Sequence, residues 1–161
     1  MPTSANDGPA DRTRPVSRMN IQEQLRGGVT TGSAEETRNL AAALATSLPA
    51  DIALALHGDL GVGKTTFVQG LARGLGVTAA ITSPTYTIYS LYRGKRLLMH
   101  LDAYRIESPA QIEALLLDDF LVTPYCMAVE WPEKLGGWLP ADAWHLELGI
   151  TAEEKHTLRL L

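Results

Sequence analysis

Residues 58–65 of this 161-residue chain read Gly-Asp-Leu-Gly-Val-Gly-Lys-Thr, and this octet constrains the fold more than any other feature. It matches G-x-x-x-x-G-K-[ST] at every fixed position. The glycines allow a tight turn whose N–H groups converge, and such a loop attracts phosphate when a helix follows. An apolar run over residues 52–56 precedes the loop and suits a buried parallel strand. The octet therefore predicts a phosphate-binding strand–loop–helix unit.

Two side chains of the octet carry most of its chemistry. Lys64 brings a positive charge to the β- and γ-phosphates, where it stabilises charge during reaction and so counts as catalytic. Thr65 offers a hydroxyl, which is a hard oxygen ligand for Mg²⁺. We therefore predict ATP and Mg²⁺ as cofactors. The residues expected to hold the nucleotide are Gly58, Asp59, Leu60, Gly61, Val62, Gly63, Lys64 and Thr65.

Two helices are predicted around this unit. Ser33 and Glu36 form a candidate capping box at the start of the first, and apolar residues continue at helical spacing until Pro49 ends the pattern. The second helix follows the loop. Its apolar face runs over residues 67–75, and Gly76 can cap it.

The second half of the chain alternates strands with one more helix. Ser108 is its predicted cap, with Pro109 at the first position, Gln111 completing the box, and a buried side at residues 112, 115 and 116. Alternating strands and helices predict an α/β fold of the P-loop NTPase type, three-layered with a mostly parallel central sheet. The strands are expected at residues 85–92, 97–101, 125–129, 143–149 and 156–161.

Composition bounds the remaining possibilities. Residues 1–20 are too polar to bury a core and are predicted to be a disordered tail, with Met19 a possible true start and residues 21–161 a single domain. The net charge of −4 argues against a broad basic face for nucleic acid. Cys126 is the only cysteine, so no intrachain disulfide forms, and we expect an inert buried thiol. No signal peptide or membrane span is apparent, which favours the cytoplasm.

Two carboxylates follow apolar strands. Asp102 ends one predicted strand and Glu130 ends another, and both can face a triphosphate bound at the loop. One can hold the metal while the other orients the attacking water. The hydroxyl-rich segment 82–87 can form a nucleotide-sensing switch loop, although an ordinary Ser/Thr/Pro turn would have the same composition.

Four blocks stand in order along the chain: Gly-Asp-Leu-Gly-Val-Gly-Lys-Thr-Thr from residue 58, Ser-Pro-Thr-Tyr-Thr from 83, His-Leu-Asp-Ala-Tyr-Arg from 100, and Val-Glu-Trp-Pro-Glu-Lys from 129. With these, the chain resembles the TsaE (YjeE) family of small bacterial ATPases from about residue 30 to residue 161. The resemblance implies a role in making N6-threonylcarbamoyladenosine beside the tRNA anticodon. It also implies TsaB and TsaD as partners, with tRNA reached indirectly through that complex.

The resemblance also implies roles for single residues. Thr65 and Glu130 match the family's Mg²⁺ ligands, and Asp102 matches the acidic residue tied to hydrolysis. Trp131 lies in a switch-like segment. Nucleotide contacts extend to Thr66 and, at the nucleoside end, to Ser33 and Ala34. Two departures, at Ala103 and in the segment 115–117, bear on docking more than on phosphate chemistry.

Other functions remain open at this level. A small-molecule P-loop kinase would share the loop, but arginines are few after residue 92 and no lid insert is apparent. A nucleotide-gated binding module would need no hydrolysis. A GTPase is disfavoured because no Asn-Lys-x-Asp segment is present. Arg105 can act as an arginine finger in cis, although a solvated or ion-paired loop arginine is its simpler interpretation.

The remaining conspicuous side chains have plain structural interpretations. His57 and His100 lie at strand ends without further ligands at zinc spacing. Trp138 and Trp144 are expected to pack rather than to stack on bases.

Without an assured arginine finger, intrinsic ATP turnover should be slow, and a partner is expected to complete the site.

Overall fold

The computed structural model describes residues 19–84 and 86–161. The prediction of a disordered tail concerns residues 1–20, and all but the last two of these lie outside the described residues. Asn20, which is described, caps a helix: its side chain accepts the Glu23 N–H while the Glu23 carboxylate accepts the Asn20 N–H.

A seven-stranded sheet forms the centre of the fold. In chain order its strands are β1 Val29–Thr31, β2 Asp51–His57, β3 Tyr89–Arg93, β4 Leu97–Asp102, β5 Tyr125–Glu130, β6 Trp144–Ile150 and β7 His156–Leu160. Across the sheet they lie in the order β1-β7-β6-β2-β5-β4-β3. The four central strands β6, β2, β5 and β4 are parallel, whereas the pairs at both edges are antiparallel. The predicted parallel centre is confirmed, within a mixed sheet.

Helices cover both faces of the sheet, which confirms the three-layer prediction. They are α1 Ile21–Arg26, α2 Ala34–Ala45, α3 Lys64–Gly74 and α4 Pro109–Ala114, with 3-10 helices at Leu117–Phe120 and Pro132–Trp138. Leu54 and Leu56 of β2 lie in one buried cluster with Phe67 of α3. Ala53, the residue between the two leucines, belongs to a second cluster with Ile112 of α4. This alternation shows that the central strand is buried on both faces, as its apolar run indicated.

α2 and α3 pack in close contact because two glycines of α3 face α2. A Cβ added to Gly70 would lie 2.4 Å from the carbonyl oxygen of Arg38, and one added to Gly74 would lie 2.5 Å from that of Ala42. Arg73 and Glu35 join the exposed side of the pair by a 2.7 Å salt bridge. The helix that begins at the phosphate loop is therefore held firmly against the rest of the domain.

Two cap predictions and the predicted end of one helix need correction. Ser33 accepts the Glu36 N–H as expected, but the Glu36 carboxylate accepts the N–H of Gly32 rather than that of Ser33. The Ser108 side chain makes no capping hydrogen bond, and the Gln111 side chain accepts the Glu107 N–H rather than that of Ser108. The helix α2 also ends at Ala45, three residues before the buried Leu48 that extended its predicted pattern.

The other differences concern short or marginal segments. The strand predicted from residue 85 begins at Tyr89, after a turn at residues 86–87; Thr85 lies outside the described residues. Leu116, predicted to be buried, is 63% exposed because its φ of 50° turns the chain out of α4. The helix α1 and the strand β1 were not predicted, since six and three residues carry too little periodicity to be recognised.

Candidate functional site

The phosphate loop connects β2 to α3 and turns on glycines. Gly63 caps α3 with a φ of 99°, a conformation that favours glycine. Gly58 leaves β2 with a φ of 153°, and a Cβ there would lie 2.6 Å from the carbonyl oxygen of Leu148 in β6. A side chain at Gly58 would therefore push the loop away from the sheet, so this position must stay without one.

Lys64 is the first residue of α3 and is 95% buried, with 5% of its surface exposed. Its Nζ donates to the Gly58 carbonyl at 2.6 Å and lies 3.8 Å from the ring centre of Trp131. Burial lowers the pKa of Lys64, while the carboxylates of Glu130 and Asp102 act in the opposite direction. The ammonium is thus positioned at the mouth of the loop, among groups it can exchange for a phosphate.

The two strand-end carboxylates lie side by side. Asp102 of β4 and Glu130 of β5 are register partners, and both are buried, at 8% and 4% exposure. The Thr65 hydroxyl donates to Oε1 of Glu130 at 3.4 Å, so α3 and β5 meet at this pair. Oδ1 of Asp102 accepts the Tyr104 N–H at 2.9 Å, which orients its carboxylate. The structure thus brings together the three oxygen-bearing side chains that the sequence analysis singled out.

His100 supports Glu130 from inside the sheet. Its Nε2 lies 3.2 Å from Oε2 of Glu130, and the ring is fully buried. Within the described part of the chain its Nδ1 has no hydrogen-bond partner. Because His100 contacts Oε2, Oε1 of Glu130 is left to face the Thr65 hydroxyl.

A cavity of about 500 Å³ opens between the loop and these carboxylates. Most of the predicted site residues line it, together with Ser83 of the proposed switch segment. Gly58, Asp59, Val62 and Ala34 do not; Ala34 is exposed at the first turn of α2. The lining residues are Leu60, Gly61, Gly63, Lys64, Thr65, Thr66, Ser83, Asp102, Tyr104, Glu130 and Trp131.

Aromatic side chains close one side of the cavity. Trp131 follows β5 with a left-handed φ of 57°, and its ring centre lies 5.2 Å from that of Tyr104. Arg105, the candidate arginine finger, stacks its guanidinium 4.7 Å over the exposed Tyr86 ring. Arg105 is not among the residues that line the cavity. Its stacking on Tyr86 favours the simpler interpretation, a surface arginine.

Three residues that support the site carried no recognisable sequence signal. His156 of β7 donates from Nδ1 to the Val62 carbonyl at 2.8 Å. His57 at the end of β2 hydrogen-bonds His145 of β6 through Nε2 and Nδ1 at 2.8 Å, and the two rings stack. Burial, followed by the neighbouring His145, lowers the pKa of His57. Isolated histidines far apart in the sequence match no motif, so only the folded sheet reveals these contacts.

The donor set fits a hard divalent cation at Thr65 and Glu130. A hydroxyl facing a carboxylate oxygen is the ligand type that Mg²⁺ takes, and phosphate oxygens and water would complete its shell. Over residues 19–84 and 86–161 no group of three or more His, Cys, Asp or Glu side chains is placed to hold a metal alone. Thr65 and Glu130 therefore offer two of the oxygen ligands that such a cation takes.

The remaining predicted side chains lie outside the cavity. Cys126 is fully buried, and burial raises the pKa of its thiol to about 12. Trp138 and Trp144 are half-buried and pack against the two apolar clusters, one on each face of the sheet. None of the helices in the described residues combines the length and the apolar character needed to cross a membrane.

The family model for threonylcarbamoyl adenosine biosynthesis protein TsaE matches residues 31–159. The chain is 41% identical over 126 residues to the tRNA threonylcarbamoyladenosine biosynthesis protein TsaE of Bacillus subtilis, covering 77% of this chain and 78% of that one. It is 32% identical over 135 residues to the protein of the same name from Rickettsia bellii, covering 83% and 93%.

Other matches are shorter or structural. The match to the relative from Nostoc is 42% identical over 106 residues and spans 65% of that protein, a little under two thirds. Among solved structures, the crystal structure of Bacillus subtilis YdiB superposes with a TM-score of 0.68 at 30% identity, covering 83% of this chain and 82% of that one. Because the span matched by the family model contains the whole site described above, the chain belongs to the TsaE family of threonylcarbamoyl adenosine biosynthesis proteins.

Proposed function

We propose that this chain is a cytoplasmic, Mg²⁺-dependent ATPase that supports formation of N6-threonylcarbamoyladenosine beside the anticodon of tRNA, acting with TsaB and TsaD. One observation carries the proposal: Lys64 at the loop mouth shares a cavity with the paired carboxylates of Asp102 and Glu130. Membership of the TsaE family supports the tRNA context. TsaB and TsaD are proposed as partners on the family resemblance of the sequence. ATP is the substrate, and tRNA is reached through the partner complex.

In the proposed reaction the loop amides and Lys64 bind the β- and γ-phosphates and stabilise the charge that spreads over their oxygens. Thr65 and Glu130 would hold Mg²⁺, which supplies Lewis-acid stabilisation of phosphate oxygens when bound. Asp102 orients the attacking water and accepts its proton. The Tyr104 N–H, bonded to Oδ1 of Asp102, leaves the other carboxylate oxygen for this task.

The proposed ATPase should turn over slowly on its own. Among the described residues that line the cavity there is no arginine, and Arg105 is engaged with Tyr86. A well-placed arginine finger contributes about 10³–10⁵ in rate in related phosphoryl transfers. We therefore expect TsaB and TsaD to complete the site or to order its aromatic side.

The test measures phosphate release from ATP by the purified chain, alone and with TsaB and TsaD. We expect a slow basal rate that rises at least about tenfold in the complex, which is a small part of what a supplied charge can contribute. Lys64→Ala should abolish tight ATP binding measured by calorimetry. A rate that is already high and indifferent to the partners would contradict the proposal, and unchanged binding by Lys64→Ala would contradict the site itself.

A nucleotide-gated binding module is the second candidate. The contact between Lys64 and Trp131 favours it, since a phosphate that attracts the ammonium also changes the surroundings of the segment after β5. Asp102→Ala separates the two functions. If the variant still binds ATP and supports full tRNA modification in the reconstituted system, hydrolysis is dispensable. If turnover requires an added alcohol or acid acceptor, the protein is a kinase.

A further inference from the structure

His156 contacts the phosphate loop from outside the cavity. Its Nδ1 lies 2.8 Å from the Val62 carbonyl oxygen, which can only accept, so Nδ1 carries the hydrogen. The same ring packs against Gly63: a Cβ added there would lie 3.3 Å from Nδ1. Val62 does not line the cavity, whereas Gly63 does. The ring therefore contacts the outer side of the loop at a single peptide group.

That peptide group joins Val62 to Gly63. Because the peptide is planar, a contact that fixes its C=O also fixes the direction of its N–H. In a trans peptide the C=O and the following N–H point in opposite directions. Because His156 holds the Val62 carbonyl, the Gly63 N–H points away from the histidine ring, and Gly63 lines the cavity. Within the described part of the chain this N–H has no hydrogen-bond acceptor. It is therefore an oriented donor available to a ligand, as phosphate recognition by a loop requires.

The strand that carries His156 is well placed to hold the loop. β7 lies between β1 and β6, and His156 is the register partner of Thr31 on one side and of Ile150 on the other. A side chain on a strand paired on both sides is held more precisely than one on a free loop. His156 thus connects the antiparallel edge of the sheet to the phosphate loop, although about 90 residues separate the two in sequence.

We propose that His156 is a positioning residue of the nucleotide site: by holding the Val62 carbonyl, it keeps the Gly63 N–H directed at the phosphates of the bound nucleotide. This inference rests on the proposed function, because it needs a nucleotide phosphate at the loop. His156 does not touch the reacting atoms. Its removal should weaken nucleotide binding and raise KM, while kcat stays nearly constant.

The test compares five variants of the full chain by calorimetric binding of ATP and ADP and by ATPase kinetics. They are His156→Ala, His156→Asn, His156→Gln, Lys64→Ala and Arg159→Ala. The amide nitrogen of Asn occupies nearly the position of Nδ1, whereas that of Gln reaches the position of Nε2. We expect His156→Ala and His156→Gln to bind about 3- to 10-fold more weakly, and His156→Asn to remain within about twofold of the original chain. Arg159→Ala, an exposed change on the same strand, is the control.

Thermal unfolding of each variant separates a local effect from a global one. If His156→Ala does not fold, the comparison of His156→Asn with His156→Gln still tests the inference. These two side chains differ by one methylene, which moves the amide nitrogen from the position of Nδ1 to that of Nε2. Equal ATP affinity in the histidine variants, or failure of Asn to outperform Gln, would overturn the inference and leave the proposed function intact. If the original chain binds no ATP and resembles Lys64→Ala, the proposed function fails and the inference fails with it.

Discussion

At the scale of single residues, Lys64 already has two partners within the protein, the Gly58 carbonyl and the face of Trp131. A bound phosphate would replace the neutral carbonyl with an anion, which adds Coulomb attraction to the hydrogen bond of the ammonium. The lysine was predictable because phosphate chemistry requires its type beside glycines and a hydroxyl. His156 was not, because a lone histidine beside a carbonyl has no local pattern.

Glu130 offers a sharp test of the proposed metal site. Its Oε1 faces Thr65 while His100 holds Oε2, so Glu130→Gln keeps the shape and removes the charge. We expect the gain in ATP affinity on adding Mg²⁺ to fall about tenfold, as the loss of a charged oxygen ligand implies. Binding measured across a Mg²⁺ titration checks this.

The control for this experiment is Glu133→Gln, which removes an exposed carboxylate three residues away. It should leave the Mg²⁺ dependence nearly unchanged. An equal response of both variants would mean that general charge, rather than the Glu130 position, governs the effect.

At the scale of elements, the predictable segments were those with enough apolar residues to show a period. The central strands and α3 appear where their patterns indicated, within a few residues. α2 is shorter than its pattern predicted, because Leu48 is buried but lies beyond the end of the helix at Ala45. The predicted capping box at Ser108 was wrong, because the Gln111 N–H donates to the Ser108 carbonyl and the Gln111 side chain accepts the Glu107 N–H. Such local competition between hydrogen bonds is set by geometry that a pattern of residue types does not contain.

The contact between α2 and α3 predicts an unusual effect of alanine. In an exposed helix, Gly→Ala stabilises by about 1 kcal/mol. At Gly70 the added methyl would clash with the Arg38 backbone and the Ala41 side chain. We expect Gly70→Ala to destabilise by about 1–3 kcal/mol as the helices are forced apart. Urea unfolding measures the change.

Gly137→Ala is the matched control, because nothing lies within 4 Å of a Cβ at Gly137. Its effect should stay within about 0.5 kcal/mol, as for other surface changes. Similar urea midpoints for Gly70→Ala and Gly137→Ala would contradict the prediction, because they would mean that α2 and α3 accommodate the added methyl without loss of stability.

At the scale of the whole molecule, the site lies where three parallel strands end at one edge of the sheet. β2 leads into the loop, while β4 and β5 end in the two carboxylates. Open α/β sheets place ligands at this edge in general. The fold class therefore followed from the alternation of strands and helices, while the antiparallel edges depended on hairpins and crossovers that periodicity does not specify.

The histidine pair that joins β2 to β6 makes the stability of the domain depend on pH. Because burial and His145 lower the pKa of His57, the folded chain binds its proton less readily than the unfolded chain. Glu133 and Glu147 offset part of this effect. Stability should therefore fall as the pH drops below the ordinary histidine pKa of about 6.5.

The measurement is the melting temperature of the original chain and of His57→Asn between about pH 8 and pH 5, a range that spans the titration of histidine. The variant should show a flatter profile below the histidine pKa. Parallel profiles would mean that other groups govern the acid response.

The position of β5 between β2 and β4 has a consequence for how the protein is made. Thr65 and Glu130 are 65 residues apart, and β2 and β4 meet only through the later strand β5. When the ribosome has just synthesised the phosphate loop, β5, the strand that places Glu130 beside Thr65, does not yet exist. The proposed nucleotide site is therefore complete only once β5 has been synthesised, and a fragment that ends before residue 125 contains the phosphate loop without Glu130.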